Sequence, residues 1–301
     1  MKKDQIKNSL LFLLLACCWG PSFLFIKVAV EYFPPVMIAT LRVAIGALLL
    51  YVILKVKRID LPKFGIAWKH FAVMGFFSCA LPFSLFAVGE QYIDSSLAAI
   101  LNGTTPLFTL MIAHFSTEND RLTKSKLIGS VIGFSGLFVL VFPSLFQAKA
   151  TLFGMIAGII AAASYGIGFV YAKNNISGFK PLVVPTAQLF LAAIFLLPFC
   201  VILESPFEIT LVSVAAVASV IGLAVFGTAL AFVIYYKLID ATNATYASGV
   251  NYVLPIFGVV LGMLILDERL EWNSYLGSIM ILVGVMIING LLKIKFPKSL
   301  F

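Results

Sequence analysis

The sequence predicts an all-α integral membrane protein: ten transmembrane helices in two inverted five-helix repeats, with both termini in the cytoplasm. Three observations predict this fold: the composition, a repetition of the chain upon itself, and the placement of positive charge. Of 301 residues, 61% are hydrophobic and 11% charged, and the mean hydropathy is +1.08. A soluble domain carries about 25% charged residues, so lipid is the solvent for most of this chain.

Crossing a bilayer takes about 20 apolar residues. Stretches of that kind run over 8–29, 35–54, 67–89, 95–116, 126–143, 152–172, 181–203, 211–236, 243–266 and 274–292. The first follows Lys2, Lys3 and Lys7, as a signal peptide would, but it continues past Trp19 and Pro21 to Val30 without a small-residue cleavage site. It is therefore read as a retained helix. Residues 31–35 turn the first hairpin, 55–69 form the longest cytoplasmic loop, and 142–151 join the halves. No Ser/Gly-rich linker divides the chain, which is read as two repeats of one membrane domain, 1–146 and 147–301.

The repetition is visible residue by residue. Ala16-Cys17-Cys18-Trp19-Gly20 through Lys27 is echoed by Ala162-Ala163-Ser164-Tyr165-Gly166 through Lys173. Phe33-Pro34-Pro35 answers Phe179-Lys180-Pro181, and Ile93-Asp94 answers Ile239-Asp240. Further on, Pro106 corresponds to Pro255, Arg121-Leu122 to Arg269-Leu270, Gly129 to Gly277 and Gly136 to Gly284. A duplicated unit with an odd number of spans enters the membrane from opposite sides, which makes the repeats inverted. Such duplications characterise carriers whose site lies where the halves meet.

Charge supports the count of ten. With ten spans, seventeen of the 21 Lys and Arg residues fall on the side of the termini, while Lys27, Lys149 and Arg269 fall on the other and Arg42 lies within a helix. Cytoplasmic loops carry such an excess. The formal charge of +8 is thus topological and gives no reason to expect nucleic acid as a partner. Cys17, Cys18, Cys79 and Cys200 sit in apolar spans without metal-ligand spacing and are read as packing residues. No hydrolase, metal or nucleophile constellation can be assembled, so neither enzyme activity nor a cofactor is expected.

Glycines at 129, 133 and 136, at 154 and 158, and at 258 and 262 let backbones approach closely, the usual means of helix association in lipid. The spans 126–143 and 274–292 are the expected scaffold or homodimer contact. Pro106 and Pro255 fall near the centres of the fourth and ninth spans, where each frees a carbonyl one turn earlier, near Asn102 and Asn251. Asn102, Thr104 and Thr105 in one segment, with Ser248, Asn251 and Tyr252 in the other, bring polar groups to the same depth. Matched interruptions of this kind point to a midplane site.

Trp19, Phe23, Phe83 and Phe86, with Tyr165, Tyr171 and Phe232, are candidates for an aromatic cavity wall. Arg42, replaced by Gln188 in the second repeat, is the deepest charge. It serves either substrate or gate, or pairs structurally with Glu31 or backbone carbonyls. Lys27 and Lys173 lie near helix ends. All thirteen carboxylates fall in loops or at helix ends, none at midplane, which argues against strong ion coupling and leaves Glu90, Asp94 and Asp240 as candidate proton acceptors.

Ala16-x-x-Trp19-Gly20-x-x-Phe23, Pro35-x-x-x-Ala39-x-x-Arg42, Pro106-Leu107-Phe108 and Asp267-Glu268-Arg269-Leu270, in a five-plus-five arrangement, resemble the EamA branch of the drug/metabolite transporter superfamily. The resemblance implies an inner-membrane carrier, often an exporter of amino acids or related metabolites, with a cavity involving Trp19, Phe23, Phe83, Asn102, Tyr165 and Asn251. Glu118-Asn119-Asp120-Arg121-Leu122 departs from the family's Gly-Glu-Arg-Leu type of turn, and Asp267 replaces that glycine in the second repeat. The expectation is alternating access around Pro106 and Pro255, with Arg42 and Lys27 favouring an anionic group on a small-molecule solute. An importer or exchanger of nucleotide-like metabolites, a channel-like facilitator and a non-transporting scaffold or receptor remain open.

Overall fold

The computed structural model describes residues 2–116, 123–146, 149–176, 178–180, 182–204, 212–241, 249–288 and 290–292. Its helices are α1 (Lys2–Trp19), α2 (Ser22–Ala29), α3 (Pro35–Val56), α4 (Ile66–Gly75), α5 (Leu81–Gly89), α6 (Ser95–Asn102) and α7 (Thr105–Ser116). There follow α8 (Lys124–Val141), α9 (Lys149–Asn175), α10 (Val183–Glu204), α11 (Val214–Ala224), α12 (Ala231–Ala241), α13 (Leu254–Ile265) and α14 (Trp272–Ile288). Among the described residues eight segments are long and apolar enough to cross a membrane: Ile6–Ala29, Pro35–Val56, Ile66–Gly89, Ser95–Ser116, Lys124–Val141, Thr151–Asn175, Val183–Glu204 and Val214–Leu238. The ninth expected span is described as a 3₁₀ turn, Gly249–Tyr252, followed by α13, and the tenth as α14; both helices are apolar but shorter. Residues 242–248, and with them Ser248, lie outside the described residues, as do Arg121-Leu122.

Helix starts follow from local chemistry. Thr123 caps α8 by accepting from Lys126 N at 3.3 Å, and Ser213 caps α11 by accepting from Ala215 N at 3.2 Å. The first amides of a helix have no intrahelical acceptor. At α3 a residue remote in sequence supplies one: Glu204, at the end of α10, accepts from Val36 N at 2.8 Å and Met37 N at 2.6 Å.

Two features were not predicted. The third expected span of each half widens into a π-helix at its middle: Phe76–Ala80 between α4 and α5, and Val225–Leu230 between α11 and α12. The expected interruptions of the fourth and ninth spans are present, at Gly103-Thr104 and at Val253.

Sequence-equivalent helices pack on each other: α3 on α10, α6 on α13, and α8 on α14. The first helix of each half meets the third of the other, α9 against α5 and α1 against α12. The α8–α14 seam is the tightest, because both faces are glycine. A Cβ added at Gly284 would stand 2.8 Å from Gly133 Cα, and one at Gly129 would stand 2.6 Å from the Gly284 carbonyl oxygen. The glycine faces expected as a scaffold or homodimer contact are thus occupied by each other within the chain. Two buried hydrophobic clusters result, and Tyr165 packs against both.

Candidate functional site

A cavity of about 100 Å³ opens between the halves. Its wall brings together nine residues expected from the sequence: Trp19, Phe23, Arg42, Phe83, Phe86, Asn102, Tyr165, Phe232 and Asn251. Ser22, Gln188, Tyr235 and Tyr236 complete much of the rest. Each helix break serves this geometry. Asn102 ends α6, where Gly103 N still reaches Ala99 O at 3.1 Å and Thr104 turns back, its Oγ1 donating to Leu101 O at 2.6 Å. Asn251 lies in the short 3₁₀ turn before α13.

Pro106 and Pro255 take the second positions of α7 and α13. A missing N–H costs nothing in a first helical turn, so the prolines restart helices and do not kink continuous ones. The two breaks touch: a Cβ at Gly103 would stand 2.7 Å from Pro255 Cγ. Neither proline lines the cavity. The Tyr252 and Asp240 side chains lie outside the described residues.

The wall is aromatic on two sides. Trp19 packs on Tyr235 with centroids 5.4 Å apart and edge-on to Phe232 at 6.3 Å. Opposite them, Tyr165 stacks on Phe86 at 6.2 Å, and Phe23 meets Phe86 edge-on at 5.2 Å. Offset and edge-to-face arrangements such as these are the favoured ones for ring pairs. Tyr171 is not part of the wall; its hydroxyl lies 2.8 Å from His70 Nδ1.

Among the described residues Arg42 is the one formally charged residue in this wall, and it is 5% exposed. Its Nε donates to Thr228 Oγ1 at 2.7 Å, its Nη2 donates to Gly227 O at 3.0 Å, and Cζ sits 3.8 Å from the Phe83 ring centroid. Both acceptors belong to the second π-helix, so the wide turn is what holds the guanidinium. A guanidinium carries five N–H groups, and these contacts use two. Among the described residues no carboxylate lines the cavity, which leaves the cation without a protein counter-ion in its wall. Of the pairings expected, a backbone carbonyl is found and Glu31 is not.

Gln188, Arg42's counterpart, is fully buried on the facing helix α10. Its Oε1 accepts from Tyr236 OH at 3.2 Å, while its Nε2 has no partner, and Ser22 Oγ also has none. Gln188, Ser22, Tyr235 and Tyr236 were not expected at the site. The one available signal was that Gln188 aligns with Arg42.

Lys27 lies elsewhere. Its Nζ donates to Glu90 O at 2.9 Å and Ile93 O at 2.7 Å, and it does not line the cavity. Two of the carboxylates expected in loops or at helix ends are buried there: Glu90 is 0% exposed and Glu268 8%. Glu268 Oε1 accepts from Ser95 N at 2.8 Å and Ser95 Oγ at 2.7 Å; Oε2 accepts from Ser96 N at 2.9 Å and from Ser96 Oγ. It thereby clamps the start of α6 to the connection between α13 and α14.

The profile of the EamA-like transporter family matches residues 7–142 and again 152–290. An "Uncharacterized transporter" of Archaeoglobus fulgidus is 27% identical over 94% of this chain and 99% of its own length. A "Probable amino-acid metabolite efflux pump" of Escherichia coli is 28% identical over 93% of this chain and 94% of its own. A solved crystal structure superposes with a TM-score of 0.66 at 14% identity, over 95% of this chain and 97% of that one, a likeness of fold.

Proposed function

Because the chain belongs to the EamA-like transporter family, we propose that it is a secondary transporter whose two halves, 1–146 and 147–301, are inverted repeats that give the cavity alternating access. The separate family matches to the two halves support the repeat reading, as does the pairing of equivalent helices. The excess of Lys and Arg on one side supports an inner-membrane location with both termini cytoplasmic.

The substrate is a small amino acid or related organic acid, moved outward. One observation carries this: Arg42 presents a positive charge to a cavity that has aromatic walls and no carboxylate. A buried cation without a counter-ion favours an anionic ligand group, and the rings suit an apolar remainder. The name of the Escherichia coli relative agrees with this class.

Counterflow of a labelled amino-acid panel in proteoliposomes, with and without a proton gradient, tests the reading. Saturable exchange supports it. Flux that does not saturate and shows no trans-stimulation replaces alternating access with facilitated diffusion. Absence of flux for every member of the panel refutes the substrate class and directs the search to nucleotide-like solutes.

A further inference from the structure

Glu90 caps the end of α5, at the end of the bundle where Glu268 clamps α6. It is 0% exposed, and among the described residues neither carboxyl oxygen has a hydrogen-bond partner. Buried carboxyls are ordinarily paired or hydrogen-bonded, because an isolated ionised one is strongly disfavoured away from water. The neutral acid escapes most of that penalty.

The groups around Glu90 come from several elements. From α2, Lys27 rests its ammonium on the backbone carbonyls of Glu90 and Ile93. From the connection before α14 comes Glu268, whose oxygens are committed to Ser95 and Ser96. Asp94 precedes α6, and Arg42 on α3 is tied to the second π-helix. Packed against the end of α5, α9 brings Gly154 onto the Gly89 carbonyl; it begins at Lys149, whose side chain lies outside the described residues. Burial pushes the Glu90 carboxyl well above the usual range; Lys27 draws it down, Glu268 raises it, and Arg42 draws it down. Asp94 is also raised, first by burial and then by Glu268, against Lys27.

We propose that Glu90 is a proton-binding site linked to the opening of this end of the bundle. It holds a proton while the Glu268 clamp is in place and the carboxyl buried, as here, and releases it when opening admits water. On release the O–H bond breaks, the proton passes to water, and the carboxylate gains Lys27 as its counter-ion. Because the two states differ in proton affinity, acid on this side favours the closed form, and the bias equals that difference. The part played in a transport cycle rests on the transporter reading above; the proton site does not.

The site can therefore be measured without a substrate. The full chain in lipid nanodiscs is titrated between about pH 5 and 9, a range that spans documented buried-glutamate pKa values, while the carboxylic-acid carbonyl band is followed by infrared difference spectroscopy. The wild type is expected to keep a protonated-carboxyl band at neutral pH that Glu90→Gln lacks. Dicyclohexylcarbodiimide, which attacks protonated buried carboxyls, is expected to label Glu90 at neutral pH, read by mass spectrometry. An identical band in Glu90→Gln, or unlabelled Glu90, overturns the proposal. Should Glu90→Gln fail to fold, Lys27→Met replaces it: removing the nearest cation should carry the band to higher pH, and an unmoved band overturns the proposal as well.

A second arm follows counterflow of whichever panel amino acid is carried, with pH varied on each side in turn. Dependence on the pH of the Glu268 side, flattened in Glu90→Gln, is expected; equal dependence in both proteins refutes the link to opening. If no amino acid is carried, the substrate reading fails while the infrared result still decides whether Glu90 binds a proton.

Discussion

Replacing Glu268 with alanine removes one acceptor group from four donors at once: the amides and hydroxyls of Ser95 and Ser96. Hydrogen bonds to a charged group contribute about 1.5–3 kcal/mol each, but the four will not add. The hydroxyls can turn elsewhere, and Ser96 Oγ already lies 3.4 Å from Gly258 O. The amides cannot turn. They open α6, both serines are 0% exposed, and an unsatisfied buried donor costs about 1–3 kcal/mol. The net loss is then about 2–5 kcal/mol. At about 2–4 °C per kcal/mol, the melting temperature of the purified protein, followed by tryptophan fluorescence, should fall by roughly 5–15 °C. Glu268→Gln should fall about half as far, since its amide keeps one acceptor and turns a donor toward the other serine. Hydrogen exchange should speed at the Ser95 and Ser96 amides before it does so elsewhere in α6. A melting temperature within about 1 °C of wild type in Glu268→Ala, with unchanged exchange, would refute the clamp.

Other consequences are equally open to measurement. Trp19→Ala and Asn251→Ala should abolish counterflow while leaving the circular dichroism and gel-filtration profiles of the wild type; full activity in both would remove them from the site. Arg42→Lys keeps the charge but cannot reach Thr228 Oγ1 and Gly227 O with one rigid fork, and the loss of about 1.5–3 kcal/mol should raise KM for carboxylate substrates about 10- to 150-fold. Gly284→Leu forces a side chain onto the Gly133 backbone and should cost about 1–3 kcal/mol as overpacking, visible as lower thermal stability with substrate KM unchanged. Glu90 is held above its ordinary value of 4.5, so the native state binds more protons than the unfolded state from there up to the raised value. Stability should therefore fall as pH rises through that window; melting curves of Glu90→Gln should lack the fall.

Much of the architecture was legible because lipid constrains it. Apolar length marked the spans, the repeat paired Trp19 with Tyr165, and matched prolines located the breaks that carry Asn102 and Asn251. Burial of Glu90 and Glu268 was not legible, since position at a helix end says nothing about what folds over that end. Glu204 reaches helix amides 167 and 168 residues away in sequence, and no local pattern records such a contact. Arg42 stood out as a charge within a span, yet its acceptor could not be foreseen because neither π-helix has a sequence signature. The prolines misled slightly for a related reason: Pro106 was assigned to the middle of a helix that in fact ends at Asn102 and restarts at Thr105.

The π-helix Val225–Leu230 also decides how the chain tolerates changes in length. A π turn accommodates an extra residue within an otherwise α-helical path, so deletion of one residue there is absorbed by return to ordinary α geometry, with the helix beyond it kept nearly in phase. Phe232, Tyr235 and Tyr236 would keep their places on the cavity, but the wide turn itself would be gone, and Gly227 and Thr228 would lose their place beside Arg42. Single-residue deletions within 225–230 should accordingly yield folded, membrane-inserted protein that keeps its aromatic wall and has lost the anchor of its guanidinium.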